Sequence, residues 1–369
     1  MKRVKFGDIV REVKVQVDRN NNPYLHYVAG DHMDSMDLTI RRKGSFATDD
    51  VGPAFIRIFK PGQVLYGSRR TYLKKIAVAD FEGICSNTTF VLETKDSNVF
   101  LQELLPFVML SESFTKWSIS HSKGSTNPYV LFSDLANYEF TLPSLSEQKV
   151  LADKLWAAYR VKESYKKLLA ATDDMLKAKF QDMFGEEEKI KIGDAFTTTS
   201  GGTPNSKITH YYSGGTIPWL TSGEVRQGYI HSTESYITEE GLANSSAKWI
   251  PESSVVIAMY GATIGNVGIT NIPLTTNQAI CSILPNNKYD QVFVYYAVKN
   301  KTDWMKSQSR GAAQPNISQA IIKQMEIPLP PLPLQQQFVE IATQAEATKE
   351  SLRKSIENID QVIKSLINQ

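Results

Sequence analysis

Only two cysteines, Cys85 and Cys281, occur in this chain, and they fall at inequivalent places in the internal repeat described below. Neither a disulfide framework nor a repeated metal ligand is supported. The histidines at 26, 32, 121, 210 and 231 have no metal-ligand spacing and read as ordinary surface or core residues. No Gly-Lys dipeptide occurs, which excludes a phosphate-binding P-loop. His-Glu-x-x-His is absent, and Asn127-Pro128-Tyr129 has one proline where an amino-methyltransferase motif has two. No run of eighteen apolar residues is present, and MKRVKFGDIV at the start has no apolar signal stretch, so a soluble, cytoplasmic protein is expected. The net charge is only +2, so a nucleic-acid site has to come from local patches.

What is present is a duplication. Gly124 and Gly311 differ by 187 positions, and Pro128/Pro315, Glu139/Glu326, Leu145/Leu332, Gln148/Gln335 and Trp117/Trp304 keep that offset. Both copies run into a long helical pattern. In the second, Pro328, Pro330, Pro331 and Pro333 precede a seam read as Phe338, Ile341, Ala345, Thr348, Leu352, Ser355, Ile359, Val362 and Leu366. That 3-4 alternation predicts a coiled-coil helix roughly 50 Å long. The first copy places Leu151, Leu155, Tyr165, Leu169, Leu176 and Met183 at helical spacing, with Leu168 and Phe180 beside them. Gly185 ends it.

Before each helix lies a mixed unit. VKFGDIV (4–10) and IKIGDAF (190–196) open the two units as a short strand or helix entry. In the first, PAFIRIF, QVLYGS, KKIAVA and TTFVLE read as strands, followed by a helix over 99–118. In the second, 216–225 reads as a strand and turn, 255–270 as strand, glycine turn and strand, and 274–284 as one further strand. The glycine run YGATIGNVG (260–268) has no helix-opening pattern after it, so a tight β turn is preferred to a dinucleotide fingerprint. The fold class expected is α+β: two strand-rich units tied by two long helices packing as an antiparallel coiled coil, with pseudo-twofold duplication.

Residues 51–79 carry Arg57, Lys60, Arg69, Arg70, Lys74 and Lys75 and no acidic residue. Arg41, Arg42 and Lys43 lie upstream; Tyr66 and Tyr72 interleave, and Gly67-Ser68 precede the arginine pair. This is either a phosphate and base-edge surface or a solvated charged face. The second unit has no charge from Ser253 to Asn287, but Asn266, Asn277 and Gln278 sit beside turns. Amides read adenine bidentately and arginine favours guanine; the competing reading is a buried sheet with amide-capped turns. Arg310, Gln314 and Asn316 in one loop match Lys123, Ser125 and Asn127 in the other.

The segments SGGTPNS (200–206), IPWLTSGEV (217–225), GATIGNVGI (261–269), TTNQAI (275–280), GAAQPNISQ (311–319) and IPLPPLPLQQQFV (327–339) together resemble the specificity subunits of Type I restriction-modification systems. YGSRRTY (66–72), SNTTFVL (86–92), KGSTNPYV (123–130) and LPSLSEQ (142–148) match more loosely. The resemblance implies target recognition domains at 1–143 and 187–330, and conserved helical spacers at 144–186 and 331–369. Each domain is expected to read half of a split DNA sequence. To the residues above the resemblance adds Asn87, Thr203, Thr221, Ser222, Tyr260 and Thr263 as DNA-facing candidates. It implies double-stranded DNA and two modification subunits, which bind S-adenosylmethionine and methylate adenine, as partners. Restriction subunits using ATP and magnesium are also implied, with no cofactor on this chain and no chemistry of its own. Competing readings are a coiled-coil adaptor with no DNA role and a DNA-modifying enzyme with an unrecognised site.

Overall fold

A computed structural model of the chain describes residues 2–18, 21–309 and 315–368, apart from the side chains of 226 and 227. The Gly-Asp pairs at the head of each repeat act alike. Strand Lys2–Lys5 turns through one helical turn, Phe6–Ile9, into strand Val10–Val13; Lys189–Lys191, Ile192–Ala195 and Thr198–Ser200 repeat the sequence of elements. The turns are held from outside: the Phe6 amide donates to the Tyr138 carbonyl and that of Ile192 to Met325, both at 2.8 Å. A Cβ on Gly7 would lie 2.6 Å from the Cβ of Ala136, and one on Gly193 2.9 Å from that of Lys323. Glycine is required at both, because a neighbouring short helix packs directly on the backbone.

The chain divides into two compact units, Met1–Lys167 with Arg353–Gln369, and Leu168–Leu352. In the first, an antiparallel sheet orders Val10–Val13, Thr89–Thr94, Val64–Gly67 and Ile76–Val78. A second sheet orders Gly44–Ser45, His26–Val28, Gly83–Ser86 and Phe55–Phe59, with one parallel pair, Tyr27 opposite Ile84. In the second unit the corresponding sheets are Thr198–Ser200, Ile280–Ile283, Val255–Ala258, Val267–Thr270 and Tyr229–Ile230, and Tyr236–Ile237, Ile217–Leu220, Leu274–Thr276 and Trp249–Ile250. The parallel pair recurs there, Trp219 opposite Thr275. The two units therefore share a topology, as the duplication predicts.

Two expected elements differ. Residues 274–284 are not one strand: Leu274–Thr276 and Ile280–Ile283 belong to different sheets. Between them the Asn277 side chain accepts the Ala279 amide at 3.1 Å and turns the chain. The helix expected over 99–118 is broken into Leu105–Leu110 and Glu112–Ser120, because Ser111 caps the second piece by accepting from the Phe114 amide.

The long helices run over Leu145–Phe184 and Leu332–Ile367. In the second unit Phe338 packs its ring against Phe180, Phe184 and Tyr296 with centroids 5.2, 5.7 and 5.3 Å away. Asp173 meets Lys349 there at 2.7 Å, so one helix ascends as the other descends and the pair is antiparallel. The seam keeps its expected positions at Phe338, Ala345 and Leu352 but shifts by one residue at alternate positions. Ala342, Lys349 and Ile363 are buried where Ile341, Thr348 and Val362 were expected, and Val362 is 52% exposed. Phe180 is buried and Leu168 exposed on the first helix. Hydropathy ranks lysine last for a seam, but the Lys349 ammonium reaches both Asp173 and Glu346, which offsets its burial. Each unit has its own main apolar core, the first around Phe6, Leu92, Phe114 and Leu155, the second around Ile192, Val255, Phe293 and Phe338. Among the described residues no helix is long and apolar enough to cross a membrane.

Candidate nucleic-acid interface

The site grows from one loop in each unit. In the first, the chain leaves strand Val64–Gly67, passes a 3-10 turn at Thr71–Leu73 and returns along Ile76–Val78. Arg70 and Lys74 flank that turn with φ of 51° and 48°. In the second unit the turn Gly261–Thr263 lies between Val255–Ala258 and Val267–Thr270, and Gly261 and Gly265 have φ of 64° and 79°. The positive-φ positions of the two loops correspond although no glycine is shared: Arg70 stands where Gly261 does and Lys74 where Gly265 does, with Arg69 at the place of Tyr260.

The clamps on the loops confirm the correspondence. The Arg70 amide donates to the Pro128 carbonyl at 2.7 Å, as Gly261 does to Pro315 at 2.9 Å. Val130 donates to Ser68 at 2.9 Å, and Ile317 to Met259 at 3.0 Å. Ser68 donates to Thr88 at 3.1 Å, and Met259 to Ala279 at 2.8 Å. Three segments thus converge in each unit. In the first they present Arg69, Asn87 and Tyr129; in the second Tyr260, Gln278 and Asn316, all exposed. Arg69 bridges Tyr129 and Tyr260 bridges Asn316 through the backbone.

Of the residues expected at the surface, Arg69, Arg70, Tyr72, Asn87, Lys123, Thr203, Tyr260, Gln278 and Asn316 are exposed. An open cavity of about 460 Å³ beside Arg69 is lined by Arg57, Ser68, Asn87, Thr88 and Tyr129. The Arg70 Nε donates to the Asn127 side-chain oxygen at 3.3 Å. Lys123 shares two backbone hydrogen bonds with Tyr129 and pairs with Asp134 at 3.2 Å. Thr203 donates to the Gln278 side-chain oxygen.

Other expected residues are placed elsewhere. Tyr66 is a core residue, 2% exposed and stacked on Phe90, and burial pushes its hydroxyl up to about 12. This corrects its reading as a DNA-facing ring: it supports the loop from beneath. Ser68 and Thr263 are buried, their hydroxyls donating to Thr88 and Tyr260 carbonyls at 2.6 and 2.8 Å. Lys74 turns its ammonium toward the Leu110 carbonyl, 3.5 Å away, and partial burial lowers its pKa. Lys75 reaches the Gly30 carbonyl. Lys43 and Lys60 gather about Phe81 and Glu82 instead. Thr221 and half-buried Ser222 lie in the turn after Leu220, where Thr221 donates twice to Glu224 at 2.8 Å. Asn277 shapes its own turn and is half-buried. Arg310 and Gln314 lie outside the described residues.

Sequence reasoning passed over Tyr129 as a site residue and misplaced Arg57, which is buried. Tyr129 follows Asn127-Pro128 and was legible as a loop aromatic. Arg57 was counted as surface charge, yet it is 8% exposed, pairs with Glu12 and donates to the Thr89 carbonyl at 3.1 Å.

A second polar cluster joins a loop of the first unit to its helix. Asp37 accepts from Lys166 at 2.8 Å, Tyr159 at 2.6 Å, the Thr39 amide at 3.0 Å and Arg41 at 3.0 Å. Burial alone would raise its pKa, but these donors, Lys166 and Tyr159 foremost, hold the carboxyl well below the usual range.

A family model described as "Type I restriction modification DNA specificity domain" matches residues 54–171 and 185–361. Among curated proteins, the MjaIX specificity subunit of a Type I restriction enzyme from Methanocaldococcus jannaschii is 31% identical over 177 residues, covering 47% of this chain and 40% of that one. The match thus spans less than half of that relative's length. The HindI specificity subunit from Haemophilus influenzae is 21% identical over 89% of each chain. A solved chain from work on complex assembly and conformational transition of the type I R-M system superposes with a TM-score of 0.56 at 19% identity, covering 99% of this chain and 96% of that one. At that identity the likeness is one of fold.

Proposed function

This chain belongs to the Type I restriction modification DNA specificity domain family, and from that premise we propose that it reads DNA sequence for such a system, each unit reading one half of a bipartite target. The observation that supports this most is the recurrence of one exposed, clamped loop edge in two units of equal topology. Arg69, Arg70, Asn87 and Tyr129 on one edge, and Thr203, Tyr260, Gln278 and Asn316 on the other, carry the donors, acceptors and rings that read base edges.

In this reading the chain supplies register and its partners supply chemistry. Two modification subunits would bring S-adenosylmethionine and methylate adenine, a reaction that needs the base flipped out of the duplex. Restriction subunits would bring ATP and magnesium. The long helices would set the unread spacer between the halves and dock the modification subunits. Four residues inserted near Ala170-Ala171 add about 6 Å of helix, so the spacer should grow by one or two base pairs.

The testing experiment maps methylated sites in a genome that expresses the full chain with its modification subunits. Two short read blocks around a fixed unread spacer are expected, with no methylation by this chain alone. Methylation independent of the chain, or turnover by the chain alone, would overturn the reading. Absent or salt-independent DNA binding by the complex would favour an adaptor without a DNA role.

A further inference from the structure

The loop position shared by Arg70 and Gly261 has an unusual backbone. A left-handed φ suits glycine, and the second unit has glycine as the first residue of its turn and again two residues beyond it. The first unit holds an arginine and a lysine there at φ 51° and 48°. Non-glycine residues persist in this region only where surrounding contacts impose it, and such outliers gather at functional sites.

The two flanks differ in what their side chains meet. At Gly265 a Cβ would lie 3.2 Å from a Thr302 methyl, and its counterpart Lys74 folds inward toward Leu110. Among the described residues, a Cβ at Gly261 would meet nothing within 4 Å. The side chain at this second position therefore projects into open space, and that is where Arg70 stands.

Charge pairing sets the Arg69–Arg70 pair apart as well. Among the described arginines of residues 2–143, Arg3, Arg11, Arg41, Arg42 and Arg57 are each held by a carboxylate, whereas Arg69 and Arg70 have no carboxylate partner. The Arg70 Nε is steadied by Asn127, and the two terminal nitrogens form a planar fork with no acceptor among the described residues. A preoriented fork of that kind matches the O6 and N7 acceptors of guanine.

We propose that Arg70, at the loop position where the second unit has Gly261, determines specificity at one position of the first half of the target. Arg70 reads a guanine in the first half, and bare Gly261 leaves reading in the second to Tyr260 and its neighbours. This rests on the DNA-reading role proposed above.

The test selects from a random-sequence duplex pool with the full chain in complex with its modification subunits. It compares wild type, Arg70→Gly, Arg70→Asn and Gly261→Arg. Glycine and asparagine both accept the left-handed backbone, so neither replacement should lower the melting temperature. Both should erase one G·C position of one half-site, with discrimination there falling about tenfold or more, and leave the other half intact. Gly261→Arg should alter the other half only. An unchanged consensus in the Arg70 variants, or uniformly weaker binding with the consensus intact, as for a phosphate contact, overturns the proposal and spares the DNA-reading role. A wild-type complex that enriches no sequence overturns that role and the proposal together.

Discussion

Gln148 and Gln335, 187 residues apart, make the same three hydrogen bonds. The Gln148 oxygen accepts the Leu101 amide and its nitrogen donates to the Val99 and Pro143 carbonyls, all at 3.0 Å. The Gln335 oxygen accepts the Asp290 amide at 2.9 Å, and its nitrogen donates to Pro330 at 2.9 Å and Lys288 at 3.5 Å. Each side chain is 1% exposed. One amide per unit thus pins the start of a long helix to the segment leading into its domain's own helices. The duplication reaches down to individual hydrogen bonds.

Replacing either glutamine by leucine leaves a buried amide and two carbonyls unpaired, at about 1–3 kcal/mol for each group left unsatisfied. Hydrogen exchange should show lost protection around 99–101 in Gln148→Leu with 288–290 unaffected, and the converse in Gln335→Leu. Equal loosening of both units by either change would contradict this local role.

Asp37 makes the first unit sensitive to acid. Its pKa is depressed in the folded state, so its stabilisation is full above the unfolded value of about 3.9 and is lost as pH falls through the folded value. Asp37→Asn should destabilise the unit at neutral pH by about 2–3 kcal/mol, and its acid unfolding should depend less on pH below about 4. Acid unfolding that matches wild type in midpoint and steepness would rule this out.

Lys349 stabilises the helix seam only together with its acidic neighbours. Lys349→Met should destabilise the second unit by about 1–3 kcal/mol, by removing the ammonium that pairs with Glu346 and leaving it the Tyr296 hydroxyl, 2.8 Å away, as a hydrogen-bond donor. Adding Glu346→Gln should recover part of that loss, a coupling of about 0.5–3 kcal/mol in a double-mutant cycle read by urea unfolding. Strict additivity would mean the pair does not act as a unit.

How much of this was legible in the sequence follows from how each feature is encoded. The repeat and the helix limits were, since a constant offset and uninterrupted heptads survive in residue types. The alternate seam positions were not: Lys349 is buried, and its equivalent Lys162 meets Asp360, the repeat of Asp173. Hydropathy is blind to a lysine that brings its own counter-charge. The likeness of Arg69–Lys75 to the glycine loop was hidden too. What the loops share is backbone angle and clamping, and the strands before them are offset by 191 rather than 187 positions. Tyr66 looked like a surface ring because its neighbours are basic, and only the sheet places it beneath them.

Arg69 should contribute through charge. Arg69→Ala should weaken binding to all sequences and reduce the slope of log affinity against log salt by about one if the guanidinium meets a phosphate. A titration of the full complex between low and moderate salt reads this. An unchanged slope and affinity would make Arg69 a solvated charge.

The central claim is that each unit reads its own half of one DNA target. Exchanging residues 1–143 for the corresponding segment of another family member, in the full chain with its modification subunits, and mapping methylated sites tests it most directly. The expected target has one half new and the other half and the spacer retained. A target changed in both halves, or in neither, would contradict it.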